Sequence, residues 1–255
     1  MNSFTNLLKA LDGEEIFRFV PFNSFALQTL INRKLYFGDP HFQNDPIDSN
    51  YNLDIKNFRH RYKYRFGGIT AEETALRTIK NTIDNILKKD YGICCFSKKI
   101  KEILLWSHYS EGSQGFCMLF DKSKLMNSLI TLNETMYIDS VNYYGLSLIL
   151  PEWIENKVVF DVKSIIYSKM KIWKYESEIR IMCELTKQQD KPVNLYEFDQ
   201  ASLNGIIAGE RMRQENILTI KNILKTPGYE HVSLFKVHRR PKKPDSLIFN
   251  SLSNK

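Results

Sequence analysis

Apolar positions recur in two periods along this chain, and the period changes segment by segment. Glu15–Val20 (EIFRFV) alternates and reads as a strand. Ser24–Arg33 follows with Phe25, Leu27, Leu30 and Ile31 at helical spacing, and Ser24 stands where a cap belongs. Lys34–Phe37 is a second strand. Gly38–Asp48 is loop, with Pro40, Pro46 and several turn formers. Tyr51–Gly68 is basic and aromatic and fits neither period. Thr70–Lys89 is a helix: Thr70 and Glu73 form a capping box, and Leu76, Ile79, Ile83, Ile86 and Leu87 make an apolar stripe.

The second half continues the mixture. Tyr91–Ser97 (YGICCFS) reads as a buried strand, Ile100–Tyr109 as a short helix, Gly115–Phe120 as a strand and Lys122–Leu132 as a helix. Tyr137–Tyr143 is strand-like and Pro151–Tyr167 helical. Glu178–Leu185 and Leu203–Ala208 are strands, Asn216–Leu224 is a helix, and Val232–His238 is the last strand before a basic tail. Strands and helices interleave without regular β-α-β spacing, which predicts an α+β fold rather than a doubly wound sheet. One domain over residues 1–255 is expected, with its core at about 14–238 and the tail at 239–255.

Composition narrows the class. Of the 255 residues, 43% are hydrophobic and 25% charged, which is ordinary for a globular chain and too apolar for disorder. No apolar run approaches the roughly 20 residues that span a bilayer, so no membrane partner is expected. Met1–Lys9 lacks the pattern of a signal peptide, and a cytoplasmic protein is expected. Cys94, Cys95, Cys117 and Cys183 include no C-x-x-C pair, and no His and carboxylate set has ligand spacing, so no metal is expected. The net charge of +7 favours an anionic partner, although a lysine-rich solvated surface accounts for it equally.

Four segments carry candidate chemistry. In IFRFV, alternation sets Arg18 on the face opposite Phe17 and Phe19, where a guanidinium can grip phosphate or make a surface ion pair. In WKYESEIRIM (173–182), a continuous strand would align Glu176, Glu178 and Arg180 on one face. Two carboxylates at that spacing suit a site where one steadies positive charge and the other handles a proton; a solvated acidic face neutralised by Arg180 is the plainer alternative. In the segment from Trp106 to Asp121, Ser107 and His108 are sequence neighbours without a nucleophile elbow, which argues against a hydrolase triad. In FRHRYKYRF (58–66), Arg59, Arg61, Lys63 and Arg65 interleave with rings, as on surfaces that pair phosphates and stack bases, or as in an amphipathic segment whose rings enter the core. His238–Lys243 is a second basic cluster.

Taken in order, the segments at 16–48, 91–97, 104–121, 173–182 and 203–212 resemble the bacterial family known as domain of unknown function 2971, over about residues 14–213. A second resemblance is to the Arg–Ser–Glu type of the ADP-ribosyltransferase superfamily. It implies an ADP-ribosyltransferase-like split β-sheet core with surrounding helices, and NAD as substrate. Arg18 would hold the NAD phosphate or ribose, and Ser97 would orient the nicotinamide ribose. Glu178 would be the catalytic Glu and Glu176 the upstream Glu of E-x-E. Trp106, Tyr109 and Arg180 would complete the cofactor surface. Ser97 is followed by Lys98 where that pattern continues Thr-Ser. By analogy such an enzyme acts as a toxin or phage-defence effector, with a nucleic-acid acceptor and an inhibitor or antitoxin protein as partner. Two other classes stay open: a non-catalytic nucleic-acid or partner-binding module, and a nuclease or hydrolase built on His108 and Glu111.

Overall fold

The computed structural model describes residues 3–43, 45, 48–49, 51–62, 69–130, 135–143, 147–154, 157–185, 187–188, 191–192 and 194–252. The chain opens with α1 (Ser3–Leu11), β1 (Glu15–Val20), α2 (Ser24–Asn32) and β2 (Lys34–Tyr36). It continues through β3 (Tyr51–Leu53), α3 (Ile55–Tyr62), α4 (Ile69–Asp90), β4 (Tyr91–Ser97), α5 (Ile103–Tyr109), β5 (Phe116–Asp121), α6 (Lys122–Ile130) and β6 (Met136–Ser140). Short strands β7 (Ser147–Ile149), β8 (Glu152–Ile154) and β9 (Lys157–Val159) precede α7 (Val162–Ile166) and a 3₁₀ turn, Lys171–Glu176. After β10 (Glu178–Glu184) come β11 (Lys187–Gln188), β12 (Lys191–Pro192) and β13 (Leu195–Glu197). The chain then runs through β14 (Leu203–Ala208), α8 (Gln214–Ile223), β15 (Ser233–Arg240) and β16 (Lys243–Ser251).

Eight strands form one sheet in the order β16-β15-β14-β5-β1-β4-β10-β6. Its neighbours are antiparallel except β14 and β15, which are parallel and joined through α8. One face buries Ile16, Phe96, Met118, Phe120, Ile181 and Ile206 against Leu30 of α2, Leu125 and Leu129 of α6, and Ile217 and Ile220 of α8. The other face carries two separate clusters. Phe17, Leu119, Ile207, Phe235 and Phe249 pack with Phe4 of α1 and Trp106 of α5. Ile93 and Met182 pack with Phe58, Ile79, Ile83, Leu87 and Ile166. Because each strand alternates, a sheet with both faces covered needs the near-continuous apolar runs seen in β4, β5 and β10.

The α+β class expected from the pattern is found, as a mixed fold around a large, mostly antiparallel sheet. It does not divide into two small sheets. Its two halves meet, however, at the single pair Phe17↔Ser97 between β1 and β4. Beyond that pair the strands part, and β4 bonds instead to the loop after β2: Gly38 N–H donates to Ile93 O at 2.9 Å and Ile93 N–H to Gly38 O at 2.8 Å. A wedge opens between β1 and β4.

Several expectations are corrected. Pro151–Tyr167 is not a helix: β8 and β9 pair antiparallel there and only Val162–Ile166 is helical, in keeping with the strand preference of Trp153, Ile154, Val158 and Val159. The helix after β1 is capped by Asn23, whose Oδ1 accepts from Ala26 N–H, and Phe25 and Ile31 on its outer side are exposed. Residues 239–251 of the expected basic tail lie in and between the last two strands. Lys243–Ser251 forms an edge strand on β15, with Leu247 and Phe249 buried in alternation. The side chain of Thr70, and with it the expected capping box, lies outside the described residues.

Candidate functional site

The wedge between β1 and β4 is a cleft of about 300 Å³, within the size range of small-ligand pockets. Arg18, Ser97, Tyr109, Glu176 and Glu178 all line it. Arg18, Ser97 and Glu178 come from three neighbouring strands, and Glu178 pairs directly with Ser97 across β4 and β10.

Glu176 and Glu178 meet for a different reason from the one strand alternation suggests. Glu176 closes the 3₁₀ turn, Ser177 takes the left-handed conformation at φ 44°, and β10 starts only at Glu178. This kink turns both carboxylates toward Lys169. Lys169 Nζ lies 2.6 Å from Glu176 Oε2, 2.9 Å from Glu178 Oε2 and 3.2 Å from Asp48 Oδ2. Arg180, buried without exposed surface, completes the cluster. Its Nε donates to Glu178 Oε1 at 2.7 Å, its Nη2 to Asp48 Oδ1 and Oδ2 at 2.8 and 2.7 Å, and its Nη1 to Ile166 O at 2.6 Å. Tyr143 Oη accepts from Glu178 N–H at 2.7 Å, and Tyr109 O–H donates to Glu176 Oε1.

The two carboxylates are pushed apart electrostatically. Burial works to raise Glu178, but Arg180 and Lys169 overcome it and hold the carboxyl near about 2. Burial raises Glu176 above the ordinary carboxylate value, against the pull of Lys169 and Tyr109. Burial works to lower Lys169, yet Glu178, Asp48 and Glu176 raise it, so it stays charged. Asp48, Glu176 and Glu178 share the two cations Lys169 and Arg180 in this cluster, so the carboxylates outnumber the cations. Carboxylates with separated proton affinities in one site are the arrangement that acid–base chemistry requires.

Arg18 stands at the other side of the wedge. Its Nη1 donates to Cys94 Sγ at 2.6 Å and approaches Cys95 O at 3.4 Å, and the guanidinium lies 5.8 Å from the centre of the Phe96 ring. Among the described residues no carboxylate pairs with Arg18. A half-buried cation without an acidic partner, facing a cleft, is available to an anion. Ser97 is differently placed: its hydroxyl donates to Glu176 O and accepts from Lys99 N–H at 2.9 Å, so it braces the kink and has no proton left to offer a ligand.

Other expected residues lie elsewhere. Trp106 is core: its Nε1 donates to Ile100 O at 2.8 Å and its ring meets Phe19 edge-on. Arg180 positions Glu178 and Asp48 rather than lining the cleft. His108 is exposed and shares its Nδ1 with Tyr175 Oη at 3.0 Å, beside Trp173, and does not line the cleft. In the 58–66 segment Phe58 is buried under the sheet and Arg59 is paired with Glu72. Lys63, Arg65 and the side chain of Arg61 lie outside the described residues.

Sequence reasoning missed Lys169, Asp48 and Tyr143. Asp48 belongs to the N-D-P-x-D segment of the sequence; Asp45 accepts from Trp173 Nε1 at 2.5 Å and Asp48 from Arg180 Nη2 at 2.8 Å, which ties these two residues to the kink and to β10. The acidic pair of that segment was the available signal. Lys169 is one lysine among many, and only the fold gives it meaning.

No protein of established description matches the chain, and no solved structure matches it. Residues 105–181 match the family described as "Protein of unknown function (DUF2971)". That stretch runs from α5 into β10. It holds Tyr109, Tyr143, Lys169, Glu176, Glu178 and Arg180, and is narrower than the resemblance over 14–213.

Proposed function

We propose that the cleft binds NAD and transfers its ADP-ribose, by the chemistry of ADP-ribosyltransferases. The observation that carries this reading is the convergence of Arg18 and Glu178, from strands on either side of β4, on one cleft with opposite charges. Arg18 takes the pyrophosphate. Glu178, held ionised by Arg180 and Lys169, faces the ribose, where positive charge grows as the bond from C1′ to the nicotinamide nitrogen breaks. Nicotinamide leaves with the bonding electrons as a neutral ring. The acceptor's nucleophilic atom forms the new bond to C1′, and its proton passes to Glu176 when that carboxyl is ionised.

One observation favours the competing reading, a module that binds without catalysis. Both oxygens of Glu178 are already occupied, by Arg180 and by Lys169, so a ribose hydroxyl must share or displace the Lys169 contact. The acceptor is proposed to be nucleic acid, on the basic balance of the chain and the exposed Arg239–Lys243 cluster.

The test is incubation of purified protein with NAD labelled in its adenylate moiety and a mixture of cell RNA, DNA and protein. Label should enter one acceptor class, and the rate should fall by roughly 10²-fold or more in Glu178→Gln and in Arg18→Ala. Arg18 is half-buried at the cleft, so its variant separates chemistry from folding. Absence of both nicotinamide release and label transfer in the folded wild-type protein contradicts the proposal.

A further inference from the structure

The cleft has chemically distinct ends, and strand β4 orders them. Ser97 pairs with Glu178 at the acidic end, Arg18 reaches Cys95 and Cys94 in the middle, and Ile93 bonds to Gly38 at the far end. Ser97 and Ile93 are four residues apart on an extended strand, about 13 Å. Tyr36 and Phe42 flank Gly38 in sequence, and both line the cleft there.

These two rings are 51% and 76% exposed. A single exposed ring on a surface is unremarkable, but two lining one pocket give that pocket aromatic faces on which a flat ligand ring can stack. Their exposure is set by the local structure. In β2 only Leu35 points inward, and Tyr36 lies against Gly38, whose Cβ would meet its ring at 3.4 Å. Phe42 is held by a turn in which its N–H donates to Asp39 O at 3.1 Å, and Lys88 Nζ stands 5.7 Å from its ring centre.

We propose that Tyr36 and Phe42 form a subsite for the purine base of a nucleotide, whose phosphate reaches Arg18. This rests on the nucleotide reading of the cleft and deepens it by fixing the ligand's direction: base at Tyr36 and Phe42, phosphate at Arg18, reacting ribose at Glu178. Aromatic stacking on a base is worth about 1–3 kcal/mol per base, which is roughly 5- to 150-fold in affinity.

The test is equilibrium binding of AMP and of ribose 5-phosphate to the full chain and to the double variant Tyr36→Ala, Phe42→Ala. Both rings are largely exposed, so the variant leaves the core intact. AMP should bind wild type about tenfold or more tighter than ribose 5-phosphate. The double variant should lose that advantage and keep its affinity for ribose 5-phosphate. AMP binding no tighter than ribose 5-phosphate, or unmoved by the double variant, overturns the subsite. NAD turnover of the wild-type chain, measured alongside, keeps the two claims apart. Turnover that depends on Glu178 while the AMP result fails removes the subsite alone. The AMP result without turnover upholds the subsite and removes the transferase.

Discussion

At the scale of single residues, the site is governed by a buried charge count. Replacing Arg180 with Met strips Glu178 and Asp48 of their main partner and leaves buried anions uncompensated. Removing one member of a buried ion cluster costs about 3–5 kcal/mol, and urea unfolding of Arg180→Met should show a loss of that order. The pH dependence follows with opposite signs for the two glutamates. Glu178 is depressed to about 2, so its ion pairs contribute stability above the unfolded carboxylate value and lose it as pH falls toward 2. Glu176 is raised, so between its ordinary and its raised value the folded chain holds the extra proton, and stability from this group declines as pH rises. Glu176→Gln should therefore abolish that decline while leaving the acid loss in place, as read by urea midpoints across the carboxylate range. Arg18, Glu176 and Glu178 stood out in the sequence by charge type, which is local, but strand period did not foresee the kink at Ser177 that joins the two glutamates. Lys169 was not legible, since its role depends on three carboxylates from two segments, one of them more than a hundred residues away.

At the scale of elements, strands were read more faithfully than helices. β1, β4 and β14 have the limits their apolar runs suggest, because a strand buried on both faces must be apolar throughout. Pro151–Tyr167 misled because a short hairpin and a one-turn helix together imitate a longer helix of mixed composition. The E-x-E segment was assigned to one strand, but the left-handed Ser177 divides it, and that kink brings the carboxylates together. Packing at the ends of β5 and β14 is equally local and equally strict. A Cβ on Gly209 would lie 2.2 Å from Ser113 O, and one on Gly115 would lie 2.1 Å from Val20 O. The opposing atoms are backbone and cannot swing away, so Gly209→Ala should destabilise by about 1–3 kcal/mol or more in denaturant melts.

At the scale of the whole molecule, the wedge exists because two half-sheets share one residue pair. Gly38, Phe42, Gln43 and Asp48 then line a wall of the opening, with Gly38 bonded to β4 and Asp48 to β10. The far edge of the sheet is sealed by β16, which the basic character of the last residues concealed from sequence reading. Its Phe249 ring stacks on Phe4 of α1 at 4.3 Å. Truncation after Arg240 should release α1, bare the β15 edge and lower the melting temperature, with aggregation as the visible sign. A variant that keeps β16 but replaces Lys242 and Lys243 with Gln should melt as wild type does.

The central claim is that this wedge is a nucleotide site oriented by Arg18. Calorimetric titration of a non-cleavable carbocyclic NAD analogue into wild type and Arg18→Ala tests it most directly. Saturable binding of one analogue per chain, weakened about tenfold or more by Arg18→Ala, is the predicted result. Binding absent in folded wild-type protein, or untouched by Arg18→Ala, would contradict it.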